Sequence, residues 1–406
     1  MTLDNIFSGL KVIELANVLA GPSVGAFFSE LGATVIKIEN RLTGGDVTRR
    51  WKLPDESADS DISSYFSSVN WGKFSIGVDL QTEKGLKIVH SLIAKSDIVL
   101  ASYKPGDAEK LRVDHDTLNR LNPGLIYAYI TGYGSRNNRS GYDAIIQAES
   151  GFTYMNGESD SGPVKMPVAL MDVLAAHQVK EGILLALLHR ERTGEGQYIE
   201  VSLIQSGAAS LVNQASNWLV GKTIPQRMGS DHPNIAPYGT IFSTRDGRDI
   251  VLAVGTDKQF AELCRLLGIP EIASDIRFVS NAERVKHREE LKKILQKSIM
   301  KLLRDEFLDQ LNEKNIPAGS VCNMEEVFEK PEVKELLIEA TSVRGLSLKG
   351  LRTAVFLSEG GSAGKEILPP PHYGEHTEMI LKKFLKLEDE SIQELIKDGV
   401  IDGMGE

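Results

Sequence analysis

The sequence predicts an α/β protein: a Rossmann-like large domain with a parallel sheet, joined to a smaller α+β domain. Three observations carry this reading. The chain opens with a strand, a helical stretch and a second strand. The same alternation then continues to about residue 204, which favours a mostly parallel sheet covered on both faces. Past a polar, proline-containing stretch, Lys222-Thr223-Ile224-Pro225-Gln226-Arg227, the pattern changes to a hairpin followed by helices.

In order, Lys11–Leu15 reads as a strand and Thr34–Glu39 as a second. Between them Val24, Phe27, Phe28 and Leu31 recur at helical spacing. The turn Asn17-Val18-Leu19-Ala20-Gly21-Pro22 lacks GxGxxG, so a dinucleotide site is not indicated although Glu39 closes the second strand. Ser75–Leu80, a helix from about 82 to 95, Asp97–Ser102 and Leu125–Ile130 extend the alternation. Parallel sheets bind ligands beyond the carboxyl ends of their strands. Here those loops are 17–22, 40–51, 102–110 and 131–143.

Tyr198–Ile204 reads as a further strand and a helix runs through 212–219. The hairpin then pairs Ile241–Ser243 with Asp249–Val254, and helices follow at about 257–267, 288–300 and 301–312. We expect a large domain over 1–224, completed by 331–406, and a small α+β domain over 225–330. Pro369-Pro370-Pro371-His372-Tyr373-Gly374-Glu375-His376 leads into a C-terminal helix. His372 and His376 share the spacing of zinc ligands, but the prolines place His372 outside a helix and no metal site is expected.

The 406 residues carry a formal charge of −10, which argues against nucleic acid or an anionic membrane as partner. Cys264 and Cys322 stand apart in no CxxC pattern, so neither a disulfide framework nor a zinc site is indicated and a cytoplasmic setting is expected. Met1-Thr2-Leu3-Asp4-Asn5 shows no basic n-region and no long apolar h-region, and no later apolar run reaches membrane-spanning length, so a soluble, unexported protein is expected.

The stretch from Val168-Ala169-Leu170-Met171-Asp172 to Arg192-Thr193-Gly194-Glu195-Gly196-Gln197 holds the chemistry. Val173, Ala176, Ile183, Leu184, Leu187 and Leu188 share one broad face, which predicts a largely buried helix. Asp172 stands at its start. It can be the N-cap that satisfies first-turn N–H groups, or a nucleophile held ionised beside a thioester by the helix dipole. Spacing alone leaves both open.

Met171-Asp172 before an alanine-rich helix closed by Arg192-Thr193-Gly194-Glu195-Gly196-Gln197 resembles the class III CoA-transferases, the family of formyl-CoA and carnitine-CoA transferases. Val18-Leu19-Ala20-Gly21-Pro22, Gly45-Asp46-Val47-Thr48-Arg49, Tyr103 with Pro105-Gly106, Thr131-Gly132-Tyr133-Gly134 and Gly141-Tyr142-Asp143-Ala144 follow the family in order, and the resemblance covers the whole chain. It implies that Asp172 is the nucleophile, passing through an aspartyl anhydride and an aspartyl-CoA thioester. It further implies that CoA, a substrate and not a tightly bound cofactor, meets Val18, Leu19, Asn40, Arg41, Lys73, Ser102, Tyr103, Asp107, Lys110 and Tyr142. Tyr65, Asp143, Gly229, Ser230 and His232 belong to the acyl end and its covering loop, and the protein is an interlocked homodimer.

Phosphates need cations, and Arg41, Arg49, Arg50, Lys73, Lys104 and Lys110 are the candidates. Leu19 stands where formyl-CoA transferase has Gln, which counts against a small oxalate-like acceptor. The loop around Gly229 resembles the branch that uses succinyl-CoA and dicarboxylic acids such as glutarate. Two other readings are a 2-methylacyl-CoA racemase, whose relatives place His where this chain has Tyr142, and a non-catalytic acyl-CoA binding protein, which would not need Asp172.

Overall fold

The computed structural model describes residues 5–353 and 366–403. Met1–Asp4, read above for a leader, lie outside them. Six strands form one parallel sheet: β1 (Lys11–Leu15), β2 (Thr34–Asn40), β3 (Lys73–Val78), β4 (Ile98–Ala101), β5 (Ile126–Thr131) and β6 (Gln197–Ser202), in the order β3-β2-β1-β4-β5-β6. Every neighbouring pair is parallel. β4 and β5 are buried throughout because helices cover both faces, whereas the edge strand β6 alternates between half-buried and exposed residues up to the buried Ser202. The order reverses between β1 and β4, so the loops leaving these two strands diverge and open a crevice at their carboxyl ends.

Local chemistry sets the helices. Ala20–Glu30 crosses from β1 to β2, and Glu83–Ile93 begins where the Thr82 hydroxyl accepts the Gly85 N–H. The long helix Leu170–Thr193 ends at Gly194, whose φ of 78° lets its N–H return to the Arg190 carbonyl. This helix buries Met171, Ala175, Ala176, Val179, Ile183 and Ala186 along one side. The rest is not buried as expected: Leu184 and Leu188 of the expected face stay exposed, beside Leu185 at 69%. Their side of the helix turns away from the stripe that meets the chain's own core.

Two compact units emerge. The first comprises 1–150, 166–216 and 332–406, and the second 151–165 and 217–331. In the first, Ile380, Leu381, Ile392, Val400 and Ile401 from the C-terminal region join the core of β1–β4, and the Asp79 N–H donates to the Val400 carbonyl at 2.9 Å. The second holds an antiparallel sheet of β7 (Tyr238–Ser243), β8 (Asp249–Ala253) and β9 (Ala318–Ser320). Helices Asp257–Leu266, Arg288–Ile299 and Arg304–Glu313 supply Phe260, Leu295 and Phe307 to its core. The hairpin of β10 (Leu337–Thr341) and β11 (Ser347–Leu351) belongs to the first unit. No helix among the described residues is long and apolar enough to cross a membrane.

Candidate active site

The crevice contains a cavity of about 180 Å³. Asn17, Val18 and Leu19 line it from the end of β1, Ser102 to Pro105 from the end of β4, Thr131 and Gly132 from β5, and Arg139 to Asp143 from the following loop. Asp172 faces into it. Gly132 and Gly141 let the last two segments touch: a Cβ on Gly132 would meet the Gly141 Cα at 2.5 Å, so any other residue would force the loops apart. A second cavity of about 430 Å³ lies beyond the ends of β1, β2 and β3, lined by Ile38, Asn40, Gly45, Arg50, Leu80 and others. Asn17 and Tyr103 line both.

Asp172 is not the N-cap. Ala169 occupies that position and makes no side-chain cap, and Asp172 is the third residue of the helix. The capping function falls to Asp143, whose Oδ1 accepts the Met171 N–H at 2.8 Å. The Asp172 carboxylate therefore stays free, with no hydrogen bond among the described residues. Burial, and after it the neighbouring Asp143 carboxylate, push its pKa up to about 7. A carboxyl displaced this far toward neutrality marks Asp172 as the group in this cavity whose charge is set by its surroundings.

Asp143 is itself held in place. Gln147, fully buried, donates to Asp143 Oδ2 at 2.7 Å and to the Val168 carbonyl at 3.1 Å, while its own oxygen accepts the Met166 N–H at 2.8 Å. One amide, both donor and acceptor, thus ties the segment before Asp172 to the helix carrying Asp143. Tyr65 stands close to this pair. Its phenol is pushed up to about 12 by burial and then by the carboxylates of Asp172, Asp143 and Asp46, and its ring packs edge-on against Trp51 at 5.0 Å.

The other expected residues divide. Val18, Leu19, Ser102, Tyr103 and Tyr142 line the Asp172 cavity, and Asn40 lines the second. Tyr142 is 64% exposed. Ser102 Oγ accepts the Asn17 N–H at 3.3 Å, which joins the two diverging loops. Asp107 and Lys110 pair with each other on the surface at 2.8 Å, and Arg41 pairs with Asp402 at 2.8 Å. None of these three lines either cavity.

Lys73 is placed differently from what the resemblance implied. It is 0% exposed, and its ammonium is surrounded by Glu14 at 2.8 Å, the Pro22 carbonyl at 2.8 Å and Asn70 Oδ1 at 3.0 Å. Three acceptors exhaust its three protons, which leaves none for a phosphate. Arg49 is likewise committed, donating to both oxygens of the buried Glu39 at 2.9 and 2.6 Å. The cations that do line the cavities are Lys104, Arg139 and Arg50.

Gly229, Ser230 and His232 lie in the second unit. Gly229 adopts a φ of 61° and donates to the Gly157 carbonyl at 2.9 Å, and the His232 ring packs against Tyr238 at 5.3 Å. His372 and His376 turn to different partners: His372 meets Asp61 Oδ1 at 2.5 Å and Ser342 Oγ at 3.1 Å, and His376 Nδ1 accepts the Ser75 N–H at 3.3 Å.

Sequence reasoning missed Asn17, Arg139 and Gln147. Arg139 had a signal, a basic residue in a loop beyond a strand end. Gln147 had none, since a mid-helix glutamine looks like a solvated surface residue.

Comparison with known proteins gives a consistent result. The model of CoA-transferase family III matches residues 7–377. A succinate–glutarate CoA-transferase of Agrobacterium fabrum is 38% identical over 389 residues, covering 94% of this chain and 96% of that protein. The succinyl-CoA:glutarate CoA-transferase of Homo sapiens is 35% identical over 409 residues, covering 98% of this chain and 91% of that protein. A crystal structure of a CAIB/BAIF family protein from Brucella suis matches with a TM-score of 0.82 at 37% identity, covering 94% of this chain and 100% of that one.

Proposed function

The chain belongs to CoA-transferase family III and is an enzyme that transfers CoA; from that premise we propose that Asp172 is the nucleophile and that the acids exchanged are dicarboxylic. A carboxylate oxygen of Asp172 attacks the thioester carbonyl, the C–S bond breaks, and CoA leaves as the thiolate, giving a mixed anhydride. The thiolate then attacks the Asp172 carboxyl carbon and releases the donor acid as its carboxylate. The aspartyl-CoA thioester that results is attacked by the acceptor carboxylate, and the same two steps run in reverse. No water is consumed, and the thioester's free energy passes through covalent links.

The observation that carries this reading is the freedom of the Asp172 carboxylate. Capping at the helix start is done by Asp143, so Asp172 lines the cavity with no hydrogen-bond partner among the described residues. Its raised pKa matches the task, because a carboxylate destabilised by burial is more nucleophilic than a solvated one.

The two cavities sharing Asn17 and Tyr103 suit a long substrate: the thioester end at Asp172, and the nucleotide end toward Asn40 and Arg50. Lys104 is the cation offered to the anionic parts of the substrates at the first cavity, since Arg139, which also lines it, is paired with Glu149 and lies over the Tyr133 ring. In this assignment Lys73 is a structural cation, and Arg41 and Lys110, each paired with a carboxylate, do not hold the phosphates. Exposed Leu184, Leu185 and Leu188 favour a second copy of the chain over this helix face, in keeping with the homodimer expected by resemblance. A cytoplasmic setting belongs to the same reading.

The relatives named for succinate and glutarate favour succinyl-CoA as donor and a glutarate-like acid as acceptor. A panel of acyl-CoA donors against free mono- and dicarboxylic acids tests this. Transfer restricted to monocarboxylic acceptors would overturn the dicarboxylate assignment.

A further inference from the structure

We propose that Asp46 is a positioning residue for CoA transfer: its carboxylate holds Val18 in a left-handed backbone conformation and thereby sets the wall of the cavity that Asp172 faces. The inference rests on the transferase reading and adds to it a residue that touches no reacting atom.

The starting observation is strain. Val18 has a φ of 71°, a region that a β-branched side chain enters only when its surroundings impose it. It sits in the turn between β1 and the helix Ala20–Glu30, where Asn17, Val18, Leu19 and Ala20 all line the cavity. A relaxed Val18 would redirect the peptide planes on either side of it and move this wall.

What imposes the conformation is legible in the hydrogen bonds. The Val18 N–H donates to Asp46 at 3.2 Å to Oδ2 and 3.4 Å to Oδ1. Asp46 is fully buried, and donors surround it on both sides. Oδ1 accepts the Thr48 N–H at 3.0 Å and the Thr48 hydroxyl at 2.8 Å, and Oδ2 meets Lys37 Nζ at 2.9 Å. Burial works against the charge, but Lys37 and the Thr48 bonds hold the carboxyl below its usual range.

Lys37 in turn donates to the Ala16 carbonyl at 2.8 Å, so the same ion pair grips the turn at Ala16 and at Val18. The Asp46 N–H donates to Glu39 Oε2 at 2.8 Å, which fixes Asp46 from its own backbone. Only an acceptor on both branches fits this position. Asparagine would turn an NH₂ toward the Thr48 N–H, or toward the Val18 N–H and the Lys37 ammonium together, and each of those groups can only donate.

A merely structural role predicts something different. If Asp46 only ties β2 to the following loop, its loss should lower stability and leave the folded enzyme's kinetics alone. Glycine separates the two roles, since it adopts φ > 0 without steric cost. The experiment compares Asp46→Asn, Val18→Gly and the double variant by kcat/KM for acyl-CoA and by melting temperature. We expect Asp46→Asn to lower kcat/KM roughly tenfold or more. Val18→Gly in that background should recover most of the loss without restoring the melting temperature.

Wild-type kcat/KM in Asp46→Asn, or a double variant no faster than it, would overturn the proposal. Amide hydrogen exchange at Val18 in the unaltered protein needs no variant to fold. Protection like that of strand amides is expected, and exchange at the rate of an open loop contradicts the grip. If the unaltered protein transfers CoA between no pair of acids, the transferase reading falls, while Val18 protection still decides whether Asp46 holds the turn.

Discussion

Replacing Asp143 by asparagine tests how the site sets the charge of its nucleophile. Asp172 stands at about 7 against an ordinary 3.8, displaced first by burial and second by the Asp143 carboxylate. Removing the second contributor takes away less than half of that displacement. The amide oxygen of the Asp143→Asn side chain can still accept the Met171 N–H, while its NH₂ faces the Gln147 amide and costs the bond made there, a loss that falls on stability and not on the position of the limb. Loss of a like charge makes ionisation easier, and the acidic limb of kcat/KM for an acyl-CoA should therefore move to lower pH. The expected move is about one pH unit, equivalent to about 1.4 kcal/mol in the ionisation of Asp172. The assay is the pH profile of kcat/KM under limiting acyl-CoA, which reports groups in the free enzyme. The position of the limb is the readout, not the height of the plateau. A limb that stays in place or moves up would refute the reasoning, because it would mean that the titrating group does not feel Asp143.

Other outcomes follow from the same structure. Since the folded-state pKa of Asp172 is raised, its favourable contribution is fully present below about 4 and is lost as pH rises through about 7. Asp172→Asn should therefore gain in melting temperature relative to the parent as pH increases across that window, and a constant difference would contradict it. Lys73→Met should lower stability by about 3 kcal/mol, the order expected when one partner of a buried pair is removed, and leave the affinity of the folded protein for CoA unchanged. A tenfold weaker Kd at an unaltered melting temperature would instead make Lys73 a phosphate ligand. Incubation with a 2-methylacyl-CoA in deuterated water should give no α-deuteration at enzyme levels that complete CoA transfer. Rapid exchange without acceptor-dependent transfer would point to racemase chemistry and to Tyr142 or Asp143.

The fold was legible because its strands are short, β-rich and buried on both faces, so that Ile98–Ala101 and Ile126–Thr131 stand out without any tertiary information. The nucleophile was legible through the residues around it. Its freedom from capping was not, because that depends on Asp143 reaching across space to Met171, 28 residues further along the chain. Lys73 misled for a related reason. A lysine at the start of a strand, in a segment that follows the family's order, looks available, and only the inward turn of Glu14 on β1 shows that its charge is used inside the protein. The exposed side of the helix Leu170–Thr193 was misread as core because an apolar side chain carries no mark of which surface will cover it. Val18 gave no signal at all: nothing in its local sequence demands a positive φ, which the distant Asp46 imposes.

The central claim is that acyl transfer passes through Asp172, and trapping the intermediate tests it most directly. Mixing the enzyme with succinyl-CoA and hydroxylamine, without acceptor acid, should convert Asp172 to the hydroxamate by attack on either the anhydride or the aspartyl-CoA thioester. The digested protein, weighed by mass spectrometry, should carry that change on the peptide containing Asp172, and only when acyl-CoA is present. An Asp172→Ala variant should bind CoA, carry no hydroxamate and fail to transfer. Continued transfer by that variant, or a hydroxamate on another residue in the unaltered enzyme, would contradict the account.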